Sequence, residues 1–137
     1  GAALCALILI PGAGCPGTVN EPSPSSGETV SFSARIQPIF DQNCVVCHQA
    51  GGLADLRGIA LRLTDGEAYG LLVNQASIQQ ADLILVVPGD SDASLLFQKV
   101  ANDSPPIGSR MPLIGSPLSS ADLGSIRDWI DQGALDN

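Results

Sequence analysis

The chain contains Cys44-Val45-Val46-Cys47-His48, in which two thiols lie three positions apart and an imidazole directly follows the second. This spacing is typical of covalent haem attachment, because each cysteine can add across one vinyl group of the porphyrin while the histidine binds the iron. His48 is the only histidine of the sequence, so no other imidazole is available to the iron. The motif occurs once, and we therefore expect one covalent haem c per chain, held by Cys44, Cys47 and His48.

Three other roles are open to the same residues. Structural zinc usually takes two separated pairs of ligands in a tetrahedron, but the next cysteine before Cys44 is Cys15. A thioredoxin-like redox motif is expected between a strand and a helix, whereas the residues before Cys44 have a helical pattern. The third role is a buried thiol pair beside a surface histidine. The spacing favours haem attachment over all three.

Composition limits the classes of partner. The 137 residues include 14 acidic and 6 basic side chains, and the formal net charge of −8 argues against binding to nucleic acid or to an anionic membrane face. A redox protein with a cationic docking face would suit this charge better, although dispersed acids are also typical of a solubilising surface. Only 4% of the residues are aromatic, so a buried porphyrin would supply a large flat apolar group that the chain itself lacks.

The first 15 residues differ from the rest. Residues 2–10 are almost wholly apolar, too short to span a bilayer but similar to the apolar region of an export signal. Residues 13–15, Ala-Gly-Cys, resemble the end of a lipobox, which makes Cys15 a lipidation candidate, although Gly12 stands where a leucine is usual. The alternatives are a retained segment used in assembly and a local disulfide between Cys5 and Cys15. The expected location is the periplasmic or outer-surface side of a bacterial membrane.

Residues 16–30 are rich in proline, serine and other polar residues and predict a linker without a core of its own. Residues 31–137 then form the predicted folded domain. Apolar residues at helical spacing predict a helix just before the motif, capped by Ser31 or Ser33 and started or bent at Pro38. The last helix is expected to run from a capping box at residues 119–122 to Gly133.

The middle of the domain predicts two more helices. They cover residues 65–73 and 93–101, and Asp90 or Asp92 is the expected cap of the second. Residues 83–87, Leu-Ile-Leu-Val-Val, have local strand character, and we interpret them as a short extended segment in a helical protein. About four helices joined by Pro/Gly loops predict an all-α domain.

The ordered set of motifs resembles a class I cytochrome c, and more closely the single-haem cytochrome domains of exported bacterial proteins. The resemblance covers residues 32–134 and rests on four features: Phe40 four positions before the first haem cysteine, the Cys44 to His48 motif, a lone Met-Pro downstream and the terminal Ile-Arg-Asp-Trp-Ile-Asp-Gln-Gly-Ala. It also includes Val-Pro-Gly-Asp-Ser-Asp-Ala-Ser-Leu at residues 87–95 and Arg-Met-Pro at 110–112. It implies helices wrapped around one haem, with Phe40 and Trp129 in contact where the first and last helices cross.

Met111 is the expected second axial ligand of the iron, because it is the only methionine and Pro112 holds it in a loop rich in proline and glycine. The alternative is a methionine that fills a gap in the core. Lys99, Tyr69, a cysteine thiolate or water are the other candidates for the sixth position. Arg110 is expected either to pair with a haem propionate or to be exposed.

A histidine and a thioether fill both axial positions, so the expected function is an exported electron carrier and not an enzyme, either free or as a subunit of an oxidoreductase complex. Two alternatives stay open. One is a haem enzyme or gas sensor in which Met111 does not bind the iron. The other is a structural haem subunit that polymerises through residues 1–14.

Overall fold

The computed structural model describes residues 27–137, and these contain helices and isolated β-bridges but no strand. The all-α prediction is therefore confirmed. A π-helical turn at Phe32–Ile36 leads into α1, and the further helices are α2 to α5; the bounds are α1 Gln37–Asn43, α2 Leu53–Leu56, α3 Ala68–Leu72, α4 Leu95–Ala101 and α5 Ser120–Asp131. Residues 1–15, including Cys15, and most of the predicted linker lie outside the described residues.

The first helix begins where Ser31 caps it, since the Ala34 N–H donates to Ser31 Oγ at 3.1 Å. Its opening turn is π-helical, and the α-helical part starts at Gln37, directly before Pro38. Proline has no N–H to donate to an earlier carbonyl, so a change of helical pitch at this position removes no hydrogen bond. The residues before this helix already contact the rest of the domain, since the Val30 N–H donates to Gln132 Oε1 at 2.8 Å.

The aromatic contact between the first and last helices differs from the expected one. Phe32, and not Phe40, has its ring against Trp129, with 5.2 Å between the centroids, and it also contacts Phe40 at 6.1 Å. The reason is that α5 packs on the π-helical turn, so the residue that faces Trp129 comes earlier in the chain. Phe40 and Trp129 are both buried, as core residues on either side of Phe32.

The last helix begins as expected. Ser119 Oγ accepts a hydrogen bond from the Asp122 N–H at 3.1 Å and lies 2.8 Å from Asp122 Oδ2. Arg35 connects this end of α5 to the first helix, donating to Asp122 Oδ1 at 3.1 Å and to Ser125 Oγ at 2.9 Å. Past the end of α5, Gly133 has φ 107°, a backbone conformation that glycine adopts without a Cβ penalty.

The middle of the chain is less helical than predicted. Helix α4 starts at Leu95 instead of residue 93, because the buried Ser94 hydroxyl donates to the Asp90 carbonyl at 2.7 Å and accepts from the Val87 N–H at 2.8 Å. Asp90 caps a turn rather than the helix, accepting from the Ala93 N–H at 2.9 Å. The helix predicted over residues 65–73 is limited to α3, and the four-residue α2 was not predicted.

The local strand character of residues 83–87 produces isolated bridges and no strand, with bends at Leu83 and Leu85, and two of the bridges join this stretch to the segment after α3. The pairs are Val73 with Val86 and Ala76 with Ile84. This segment, α3, α4 and the loops on either side enclose a cavity next to the Cys44 to His48 motif. Among residues 27–137, no helix has the length and apolar character needed to cross a membrane.

Candidate functional site

One cavity of about 420 Å³ is lined by Cys44, Cys47, His48 and Met111. The first three follow directly from the end of α1, and Met111 comes from the loop between α4 and α5. A volume of this order is within the range of small-molecule and cofactor sites. A larger groove of about 710 Å³ lies along α4 and α5, but none of these four residues lines it.

The two thiols are placed by a tight turn that continues from α1. The Cys44 N–H donates to the Phe40 carbonyl at 2.8 Å, and the N–H groups of Cys47 and His48 both donate to the Cys44 carbonyl, at 3.1 and 3.0 Å. Both thiols are free and half-buried. Burial, with a smaller effect from the Cys47 thiol, raises the pKa of Cys44 to about 11, so Cys44 is a protonated thiol at neutral pH.

His48 is held in one orientation by its ring nitrogen Nδ1, which lies 3.1 Å from the Leu61 carbonyl oxygen. A carbonyl only accepts, so Nδ1 carries the proton, and in the neutral ring Nε2 has a free lone pair. Burial lowers the pKa of His48, the Leu61 hydrogen bond partly opposes this, and nearby Lys99 lowers it further. The neutral ring is the form that binds a metal, and a bond from the other nitrogen to a carbonyl is the usual support for such a ligand.

Gly52 allows the chain after the motif to fold back onto it. The Ala54 N–H donates to the Cys47 carbonyl at 3.1 Å, and Gly52 lies directly beside the same peptide group. A Cβ at position 52 would lie 2.9 Å from the Cys47 carbonyl carbon and closer still to its oxygen. Both atoms belong to the backbone, so a side chain at this position would displace the turn that carries Cys47 and His48.

We expect Gly52→Ala to lower the free energy of unfolding by about 1–3 kcal/mol, the usual cost of forcing extra atoms into a packed region. Gly124→Ala is the matched control, since Gly124 is in α5 and a Cβ there meets no atom within 4 Å. The control should be neutral or stabilising by up to about 1 kcal/mol, because alanine is the better helix former. Denaturant unfolding of both variants makes the comparison, and equal midpoints would contradict the role given to Gly52.

Met111 is positioned by the C-terminal end of α4. The last carbonyls of a helix have no partner within it, and here the Lys99 carbonyl accepts from the Met111 N–H at 2.7 Å, while the Val100 carbonyl accepts from Arg110 Nε at 3.2 Å. Lys99 Nζ also donates to the Ile107 carbonyl at 2.8 Å. Three hydrogen bonds therefore attach the loop to α4 around residue 111. The Met111 side chain is partly buried against the core.

The other residues considered for the sixth position are placed differently. Lys99 lines the cavity, and burial lowers its pKa. Tyr69 does not line it, and its hydroxyl donates to the Ala134 carbonyl at 2.9 Å. Arg110 also lies outside the lining and forms an ion pair with Asp103.

The cavity walls are mostly aliphatic, and among the described residues no phenylalanine, tyrosine or tryptophan and no carboxylate lines them. The charged residues of the lining are Arg57 and Lys99. Sequence reasoning did not identify Arg57, Gly52 or the Leu61 carbonyl, because their roles come from the return of the chain over the motif. The donor set fits haem c: two thiols, an imidazole with a free ring nitrogen and a thioether lie around an apolar space suited to a macrocycle.

Comparison of the chain with models of protein families, with curated proteins and with solved structures gave no match. The interpretation of the cavity therefore depends on its own residues.

Proposed function

We propose that this protein is a single-haem c-type cytochrome that carries one electron at a time between redox partners. The observation that carries the proposal is the cavity itself, which brings together Cys44, Cys47, the only histidine and the only methionine of the chain. We also propose that the all-α arrangement is a class I cytochrome c fold. Its support is the packing of the π-helical turn before the motif against α5, and the position of Met111 in a loop between α4 and α5.

Each residue of the site has a separate task. Cys44 and Cys47 would hold the macrocycle through thioether bonds, and His48, oriented by the Leu61 carbonyl, would offer Nε2 to the iron. Met111 would offer its sulfur from the loop attached to α4. The mostly aliphatic walls would keep the surroundings of the group apolar. Haem c supplies reversible uptake of one electron at its iron.

Electron transfer is favoured over substrate chemistry by the ligand set. With an imidazole and a thioether both bound, a haem iron would have its two remaining coordination positions occupied and none left for a substrate or a gas. The same pair stabilises the reduced iron more than two imidazoles do, so the reduction potential is expected to be higher than that of a bis-histidine site. A haem enzyme or gas sensor would need one of these positions open.

The surroundings of the cavity favour an apolar contact with the partner. Five of the lining residues are large exposed apolar side chains, namely Val46, Leu71, Ile78, Leu113 and Ile114. The net charge of the chain predicts a cationic partner face, but no carboxylate of the described residues lines the cavity. We therefore propose that a redox partner approaches this apolar rim and that any cationic groups of the partner meet acidic residues outside it.

Redox titration of the purified holoprotein tests the proposed function. We expect one covalent haem per chain by intact mass, a reversible spectral change that fits a single-electron transition, and little or no binding of carbon monoxide by the reduced protein. A folded but colourless protein, made in a host with haem-attachment machinery, would exclude a cytochrome. Ready binding of carbon monoxide by the wild type would instead support the enzyme or sensor alternative.

Export and lipid attachment at Cys15 are a separate proposal, since that residue lies outside the described part of the chain. Cys15→Ser should move the protein from the membrane fraction to the soluble periplasm, because one cysteine would carry the whole anchor. Cys5→Ser is the matched control and should leave the distribution unchanged. Intact mass of the native protein is the second measurement, and a mature chain that keeps residues 1–14 would contradict lipidation and favour an assembly segment.

A further inference from the structure

The six basic residues of the chain divide into three groups according to their surroundings. Three arginines form ion pairs, which are Arg35 with Asp122, Arg62 with Glu67 and Arg110 with Asp103. Arg127 lies over the ring of Phe97, 4.8 Å from its centroid. The remaining two, Arg57 and Lys99, are the two basic residues that line the cavity.

Neither of these two cations has a carboxylate partner within residues 27–137, although the chain carries 14 acidic residues. Asp55, two positions before Arg57, instead accepts a hydrogen bond from the Gly51 N–H at 2.9 Å. Lys99 Nζ donates to one carbonyl and has two further N–H groups to donate. In a chain with net charge −8, two cations that face a space free of carboxylates are suited to an anionic group of a ligand.

We propose that Arg57 and Lys99 bind the two propionate carboxylates of the haem. This inference depends on the proposed function, because it concerns the acidic groups of the same cofactor. Carboxylates at the edge of an aliphatic cavity lose part of their hydration, and ion pairs with hydrogen bonds to a guanidinium and an ammonium group offset that loss. Arg110 was the candidate propionate partner in the sequence, but it forms an ion pair with Asp103 and does not line the cavity.

The test compares holoprotein carrying Arg57→Gln or Lys99→Gln with the control Arg127→Gln, which also removes one positive charge but from outside the cavity. The resonance Raman bending band of the propionates reports on the hydrogen bonds that the carboxylates accept. We expect this band to shift in both cavity variants and not in the control. The reduction potential should also fall in both cavity variants, since loss of a nearby positive charge favours the oxidised haem.

The conservative variants Arg57→Lys and Lys99→Arg distinguish a charge effect from a change in fold. Each keeps the positive charge, so each should keep a wild-type potential, while the band shifts because the donor geometry differs. If a glutamine variant yields no holoprotein, the conservative variant at that position replaces it in the test. Its propionate bending band is then compared with that of the wild type. Haem-loaded variants whose band matches the wild type would overturn the inference, whereas wild-type protein without covalent haem would overturn the proposed function instead.

Discussion

Replacement of both Cys44 and Cys47 by alanine should give a chain that retains no haem and does not fold stably. Without the thioether bonds, the cavity of about 420 Å³ loses its occupant, and its mostly aliphatic walls are exposed to water. Exposure of this apolar surface is expected to remove much of the marginal stability of the domain. No phenylalanine, tyrosine or tryptophan of the described residues lines the cavity and could fill it.

The measurement is haem retained by the chain under denaturing conditions, together with circular dichroism of the same samples. Val46→Ala is the matched control, because Val46 belongs to the same turn but is 72% exposed and carries no thiol. It should keep both the haem and the helical signal. A double alanine variant that is folded as well as the wild type would show that the cavity does not depend on a covalent group.

Met111→Ala should open the sixth position, lower the reduction potential and allow the reduced protein to bind carbon monoxide, while the haem stays attached through Cys44 and Cys47. The chain has no second methionine or histidine to replace the sulfur. Lys99 lines the same cavity, but an amine ligand would lower the potential relative to a thioether.

The absorption spectrum, the midpoint potential and the carbon monoxide difference spectrum measure this change. Leu113→Ala is the control, because Leu113 lines the same cavity and has no atom that binds iron. It should keep the wild-type spectrum and potential. If the two variants behave alike and the wild type binds carbon monoxide readily, Met111 is a core residue and the electron-carrier proposal gives way to an open haem site.

The all-α class and the ends of the longest helix could be predicted because they depend on neighbours in sequence. The serine and the acidic residue three positions later that cap α5 are both visible in the sequence, as is the glycine after its end. A single cysteine-histidine motif and a single methionine likewise limit the candidate site to a few residues.

Features that depend on contacts between distant residues could not be predicted. Helix α4 begins late because the Ser94 hydroxyl bonds to Asp90 and Val87, and nothing in the local pattern indicates that choice. Helix α2 has four residues, too few for a periodic signal. The contact of Phe32 with Trp129 depends on how α5 crosses the first helix, and the placement of Arg57, at the end of α2, and Lys99, in α4, around one cavity depends on how distant segments are brought together.

The bond from the Met111 N–H to the Lys99 carbonyl uses main-chain atoms alone, and α4 supplies the acceptor as one of its unpaired terminal carbonyls. The backbone at position 111 is therefore fixed without help from its own side chain. Histidine or lysine at position 111 could form the same main-chain hydrogen bond, and its side chain would carry a nitrogen atom in place of the sulfur. If the proposed haem is bound, a change of one codon at position 111 would alter the reduction potential while the loop that carries this residue keeps its attachment to α4.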